Sequence, residues 1–357
     1  MSDPSLESAL DEALLWLVSV DSPIGEEKAL CDALEARLGK LPLAGPIRRT
    51  LDSIVVPLVK KGGRPHIALC GHTDTVRTEN GPARREGDRI FGAGVSDMKS
   101  GLAVMLVLAE RDLARLGYDV TLVFYAREEG PFAENELGPV LAADPELRAV
   151  DLAVCLEPSD NRIQLGCNGS IHATVTFHGK TGHSSRPWEG ESAISKAAPF
   201  LAELAALAPI ESLIDGHVFR TVSTITSAKD GGRGRNVVPD KFVLNVNHRF
   251  APVFTPEQGK EQVLALVAGR ADVEWLDVSP GAMPAASHPL VKELVACGVR
   301  KVEQKQAWTD VARFSALGVP AINFGPGENA QAHQKNESCR VDLVHEGYRI
   351  FERWLCR

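Results

Sequence analysis

The sequence has no C-x-x-C pair. Its seven cysteines, Cys31, Cys70, Cys155, Cys167, Cys297, Cys339 and Cys356, are scattered and odd in number, which fits neither a disulfide framework nor a zinc finger. Cys70 and Cys155 stand in apolar strand-like runs, where a free cysteine serves as a small core hydrophobe, so any metal must use other ligands. Nor is there a span near the ~20 apolar residues of a membrane helix; the longest clean run, Gly101 to Ala109, has the length of a buried segment. Long Lys/Arg runs are also missing, and 39 Lys plus Arg face 47 Asp plus Glu for a net charge of −8. Neither nucleic acid nor a membrane is therefore an expected partner. The start, Met1-Ser2-Asp3-Pro4, lacks the basic end of a signal peptide, and a cytoplasmic protein is expected. No internal repeat or low-complexity segment stands out.

What is present is an ordinary globular composition, 44% hydrophobic and 24% charged over 357 residues, a length that calls for a main domain plus a second. From residue 60 to 160, short apolar runs alternate with helical stretches, the pattern of an α/β arrangement with a mainly parallel sheet. Strands are expected at 66–71, 120–126, 152–156 and, much later, 320–325, with a buried helix over 99–115. The stretch from about 170 to 278 differs. Ile171, Ala173, Val175 and Phe177 alternate with polar residues, as in a strand with one wet face. A helix is expected over 191–208, burying Ile194, Ala197, Ala198, Leu201, Leu204 and Ala205. Strands follow at 218–227 and 241–250, then a helix opened by Thr255-Pro256-Glu257-Gln258 as a capping box, then a strand at 272–278. This βαββαβ order is ferredoxin-like. The expected organisation is a main domain of 1–168 and 279–357 interrupted by an inserted domain of 169–278.

Gly71-His72-Thr73-Asp74-Thr75 closes an apolar strand, at the edge where α/β sheets place their ligands. Residues two apart on an extended chain face the same way, so Asp74 can accept the His72 ring N–H and turn the other nitrogen toward a metal. Alone, His-x-Asp also fits a hydrogen-bonded histidine at a strand end. Other acidic groups gather at equivalent places. Asp97 precedes the buried helix, Glu128 and Glu129 follow the second strand, and Glu157 follows the third. Carboxylates at one partly dry edge repel unless some protonate or a cation joins them, and a cation is the simpler account. One His with several carboxylates and no Cys suits zinc, manganese or cobalt rather than a structural zinc. A second His is needed for two ions, and His333, beyond the turn Gly325-Pro326-Gly327, is the candidate. His66, His172, His178, His217, His248, His288 and His345 lie without acidic company in the sequence and are assigned to surface or packing.

In order and spacing, GHTDT (71–75), GAGVSDMKSG (92–101), REEG (127–130), LEP (156–158) and the late Ala332-His333 resemble the metal motifs of the M20 family of zinc peptidases and deacylases. The resemblance covers almost the whole chain. Gly166-Cys167-Asn168-Gly169-Ser170, Asn236-Val237-Val238-Pro239-Asp240, Asn247 to Pro252 and Trp308 to Phe314 are similar to the succinyl-diaminopimelate desuccinylases of the actinobacterial type. The resemblance implies a di-zinc aminopeptidase-like catalytic domain, with the insertion as lid and dimerisation domain of a homodimer. It implies that Asp97 bridges two zinc ions, that His72 and Glu157 complete one and Glu129 and His333 the other, and that Glu128 is the general base. Cobalt or manganese could replace zinc. It further implies a cis Asp97–Met98 peptide, a lid His183 that reaches a neighbouring subunit's site to stabilise an oxyanion, and substrate contacts from Asn236, Arg249, Thr309 and Arg313. Arg233 and Arg235 have no counterpart and are read as solvated loop charges. The implied reaction is cleavage of N-succinyl-LL-2,6-diaminopimelate; the rivals are another M20 activity, such as N-acetylornithine deacetylase, aminoacylase or carboxypeptidase, and a metal-binding scaffold without turnover.

Overall fold

A computed structural model of the protein describes residues 3–111, 113–231 and 234–356; Arg233 lies outside the described residues. The chain divides into two compact units. One comprises the chain up to Gly166, Pro284–Gln304 and the chain from Arg313 onward; the other comprises Cys167–Met283 and Lys305–Ala312.

In the larger unit the described residues form an eight-stranded sheet in the spatial order Arg48–Thr50, Ser53–Val59, Asp119–Tyr125, His66–His72, Leu152–Cys155, Ala321–Asn323, Ile163–Leu165, Val302–Gln304. His66–His72 runs parallel to both Asp119–Tyr125 and Leu152–Cys155, and Ala321–Asn323 runs parallel to Leu152–Cys155. Ser53–Val59 and Ile163–Leu165 join antiparallel. The sheet is thus mixed, with a parallel centre. The residues of Asp119–Tyr125 and Leu152–Cys155 are all buried, as strands covered on both faces must be, which is why they read as continuous apolar runs. The helix Ser100–Ala109 is buried on every side and packs against Pro4–Ser19 and Val341–Leu355. It is shorter than its expected span of 99–115, because the polar Glu110 and Arg111 emerge into solvent.

The second unit is a five-stranded antiparallel sheet in the order Ile210–Ile214, His217–Asp230, Lys241–Phe250, Gly169–His178, Asp272–Ser279, with the helices Ala193–Ala205 and Pro256–Val267. Its last four strands have the ferredoxin-like order. Both halves of the Thr255/Gln258 capping box are formed, at 3.2 and 2.9 Å. Three expectations are corrected. The edge strand Ile210–Ile214 was not expected, although Asp215 and Gly216, with φ of 48° and 81°, are the Asp-Gly pair that a tight hairpin favours. The helix Ala193–Ala205 buries Ala193, Ala197, Phe200 and Leu204, while Ile194 is 40% exposed; the apolar stripe is rotated by about one residue. Lys305–Ala312, expected with the main domain, belongs to the inserted unit. Gln306 donates to the Val218 carbonyl at 2.9 Å and accepts from the Arg220 N–H at 3.0 Å, and the Trp308 indole donates to Pro280 O at 3.0 Å. Such polar ties leave no periodic trace in a sequence.

Gly71 is required where the strand His66–His72 meets the buried helix: a Cβ there would lie 2.4 Å from Leu102 Cδ2 and 2.8 Å from Met98 Cε. Gly71→Ala is expected to destabilise the larger unit by about 1–3 kcal/mol, in the range of overpacked cores, and a lowered urea midpoint with unchanged slope checks this.

Candidate metal centre

The three parallel strands end at one edge, and each carries its acidic or imidazole group there. His72 is the last residue of its strand and is fully buried; Glu157 follows Leu152–Cys155 and is also buried. After Asp119–Tyr125 the chain passes through Arg127 in the left-handed region, φ 62°, sparsely used by residues with a side chain, and then presents Glu128 and Glu129. Asp97 comes from the crossover between strands, next to a cis Asp97–Met98 peptide.

These side chains converge. Ligand atoms of His72, Asp97 and Glu157 lie within 4.8 Å of one another, as do those of Asp97, Glu129 and His333, and those of His72, Glu128 and Glu129. Asp97 faces both histidines: Oδ1 is 3.2 Å from His72 Nε2, and Oδ2 is 3.6 Å from His333 Nε2, which also meets Glu129 Oε1 at 2.9 Å. His72 Nδ1 turns the other way, 3.1 Å from the Asp74 carbonyl and 3.5 Å from its Oδ1. The buried Asp74 carboxylate has a further task beyond the one read from the sequence, accepting the N–H groups of Glu128 at 3.0 Å and Glu129 at 2.9 Å. It thereby ties the His72 strand to the loop with the acidic pair.

Charge balance shows what this donor set needs. Burial would lower the pKa of His72, but Asp74 and Asp97 outweigh it and hold the ring well above its usual value. Glu129, opposed by burial, pushes His333 up to about 9. Burial would raise Asp74; the His72 ring and the Glu129 and Glu128 N–H groups hold it below the usual carboxylate range. The acidic groups therefore draw positive charge to both imidazoles. Two nitrogen donors and several carboxylates that share one oxygen-bearing residue fit a pair of divalent cations of zinc, cobalt or manganese type.

Two further residues support this edge and were not singled out from the sequence. Glu337 accepts the N–H groups of Gly94, Ser96 and Asp97 at 2.9, 2.8 and 2.9 Å, fixing the backbone that carries Asp97; burial pushes it up to about 7. Its signal was its place four residues after His333. Lys99 is 1% exposed, donates to the Val20 carbonyl at 2.9 Å, and is pushed down to about 8 by burial. The turn after Ala321–Asn323 reaches the same edge through glycine, since a Cβ on Gly327 would lie 2.1 Å from the Ser96 carbonyl.

A scan of protein-family models matches residues 68–357 to the peptidase family M20/M25/M40. The chain belongs to the M20 peptidase family. Among M20 relatives, the succinyl-diaminopimelate desuccinylase of Corynebacterium glutamicum is 36% identical over 364 residues, covering 99% of this chain and 98% of the relative. A putative succinyl-diaminopimelate desuccinylase of Mycobacterium tuberculosis is 36% identical over 342 residues, covering 95% and 96%. Among solved structures, aminopeptidase PepT of Bacillus cereus superposes with a TM-score of 0.78 at 22% identity, covering 98% of each chain. A dinuclear metal-binding M20 peptidase of Bacillus subtilis superposes with a TM-score of 0.71 at 14% identity, covering 99% of this chain and 98% of that one. The M20 fold is thus established, and no described helix is long and apolar enough to cross a membrane.

Of the other expected site residues, His183, Asn236, Arg249 and Thr309 belong to the inserted unit and Arg313 to the larger one. In the inserted unit, the exposed His183 and Asn236 lie on two paired segments: His183 bridges Val237 antiparallel, and the Ser184 N–H donates to the Asn236 carbonyl at 2.9 Å. The Ser185 N–H donates to His183 Nδ1 at 3.1 Å, so in the neutral ring Nε2 carries the proton. Arg249 lies opposite Ser170 in the strand register, donating to Asn247 Oδ1 at 2.9 Å, and the Thr309 carbonyl accepts from Cys167 Sγ at 3.6 Å; both therefore flank 167–170. Arg313, in the larger unit, stacks on Phe132. Two histidines set aside for want of acidic neighbours do have them: His345 pairs with Asp11 at 2.8 Å and His178 with Asp272 at 2.9 Å, partners remote in sequence. Removing the Glu337 carboxylate by Glu337→Ala is expected to weaken divalent-metal binding by about 10- to 100-fold, the range for lost groups behind the ligands; competition titration against a chelator checks this.

Proposed function

We propose that the protein is a two-metal amidohydrolase that cleaves N-succinyl-LL-2,6-diaminopimelate to succinate and LL-2,6-diaminopimelate. The observation that carries the reading is the shared position of Asp97 between two ligand sets, His72 with Glu157 and Glu129 with His333, with Glu128 beside them. The full-length similarity to proteins named succinyl-diaminopimelate desuccinylase supports the substrate. Zinc is the proposed metal at both positions, with cobalt or manganese as substitutes, and the cytoplasm is the proposed compartment.

When bound, two such cations polarise the amide carbonyl and acidify a water, since three ligand carboxylates leave a pair of dications net positive. The chain supplies the rest. Glu128 takes the proton from the attacking water and delivers it to the leaving amine. Asp74 keeps Glu128 in place through its backbone N–H and orients the His72 ring. His183, with its proton on Nε2, donates to the developing oxyanion, acting across a homodimer built on the inserted lid. Arg249, Asn236 and Thr309 hold the substrate; an Arg fork suits the carboxylates of a succinylated diamino acid better than a Lys could. A base beside the ligands favours turnover over a scaffold, which needs ligands alone.

Purified metal-loaded protein assayed side by side is expected to show higher kcat/KM on succinyl-diaminopimelate than on N-acetylornithine; the reverse order overturns the substrate. Glu128→Gln is expected to keep its metal content by elemental analysis while activity falls at least about a hundredfold. For His183→Ala, a loss of about 100- to 1,000-fold in kcat with metal retained is expected from steady-state kinetics.

A further inference from the structure

The loop 127–136 carries both Glu128 and Glu129, and its two ends are tied to the sheet. At the start, Asp74 receives the Glu128 and Glu129 N–H groups. At the end, the Glu136 N–H donates to the Ala126 carbonyl at 3.0 Å, and Glu136 Oε2 accepts from the Asp52 N–H at 2.9 Å and Ser53 Oγ at 2.7 Å. The tip between them is exposed at Pro131, Ala133 and Glu134.

Arg313 reaches this tip from the short helix Val311–Ala316. Its guanidinium carbon stands 3.9 Å from the centre of the Phe132 ring, and Nη2 donates to the Phe132 carbonyl at 2.5 Å. Covering the ring while donating to the main chain of the same residue suits the broad, planar guanidinium better than a compact ammonium. Gly138 leaves room for it: a Cβ there would lie 3.0 Å from Nη1. The guanidinium is thus engaged with a residue three places after Glu129, where the sequence had suggested a contact with substrate.

We infer that Arg313 is a positioning residue that acts through Phe132, holding the tip of the 127–136 loop so that Glu128 meets the attacking water. The inference rests on Glu128 being the base. Displacement of a catalytic group by about 1 Å can cost on the order of a hundredfold in rate, so a missing grip lowers kcat while substrate affinity is little changed.

The test is a double-mutant cycle on the metal-loaded full-length protein, using whichever of the two N-acyl substrates it cleaves, with hydrogen–deuterium exchange of the 128–134 amides as a readout independent of turnover. Arg313→Ala and Phe132→Ala are each expected to lower kcat by about 10- to 100-fold with KM within about threefold. The double variant is expected to be no worse than the poorer single one, as coupled residues are. Phe132→Tyr, which keeps ring and carbonyl, is expected to retain activity, and the loop amides are expected to exchange faster in Arg313→Ala. Multiplying losses in the double variant, a raised KM with unchanged kcat in Arg313→Ala, or unaltered loop exchange would each overturn the assignment. Full activity of Glu128→Gln, by contrast, would remove the base while leaving the loop-exchange result to judge the grip itself. Where Arg313→Ala fails to fold, Arg313→Lys is measured in its place, with the same expected fall in kcat and the same overturning results.

Discussion

Everything at the ligand edge follows from one electrostatic constraint: Asp97, Glu128, Glu129, Glu157 and Asp74 crowd around two imidazoles, and carboxylates so placed demand positive charge. The same carboxylates raise the pKa of both His72 and His333 above the usual imidazole value. With two divalent cations the protein meets the demand with the charge that amide hydrolysis uses. Asp97 is the pivot because its two oxygens face different histidines, so any displacement of its backbone alters both halves of the centre at once.

The surroundings of Asp97 are accordingly rigid. Glu337 binds the amides of Gly94, Ser96 and Asp97, Gly327 brings another turn against Ser96, and the wholly buried helix Ser100–Ala109 follows directly. Asp74 plays the same part for the acidic pair, clamping two amides of the loop. Each supporting carboxylate is buried and satisfied by main-chain donors, which makes it a structural fixture that happens to be ionisable. The positions of Asp97 and Glu129 are thus fixed through hydrogen bonds to their own backbone N–H groups and those of their neighbours.

Much of this was legible in the sequence. The central strands announced themselves as short apolar runs because both sheet faces are covered, and the candidate ligands stood at their ends or in the crossover because that is where a parallel sheet opens to its ligands. The Thr255/Gln258 cap was readable because it is wholly local. Less legible were contacts whose partners are far apart along the chain: Glu337 with Gly94, Ser96 and Asp97, His345 with Asp11, and the polar ties of Gln306. The stripe on Ala193–Ala205 was misread by about one residue because small side chains at Ala193 and Ala197 face the sheet while the larger Ile194 is left outside; size alone was a poor guide to which alanines are interior.

The membership of Lys305–Ala312 has a consequence for modularity. The chain crosses between its two units four times, at Gly166–Cys167, Met283–Pro284, Gln304–Lys305 and Ala312–Arg313. The second unit is therefore no cassette that a single pair of cuts could lift out; a fragment of 167–283 would leave the Gln306 and Trp308 acceptors at Val218 and Pro280 facing solvent. Shuffling this unit between relatives would have to transplant a strap encoded some twenty codons downstream along with it, so the two stretches of gene are bound to a common evolutionary fate.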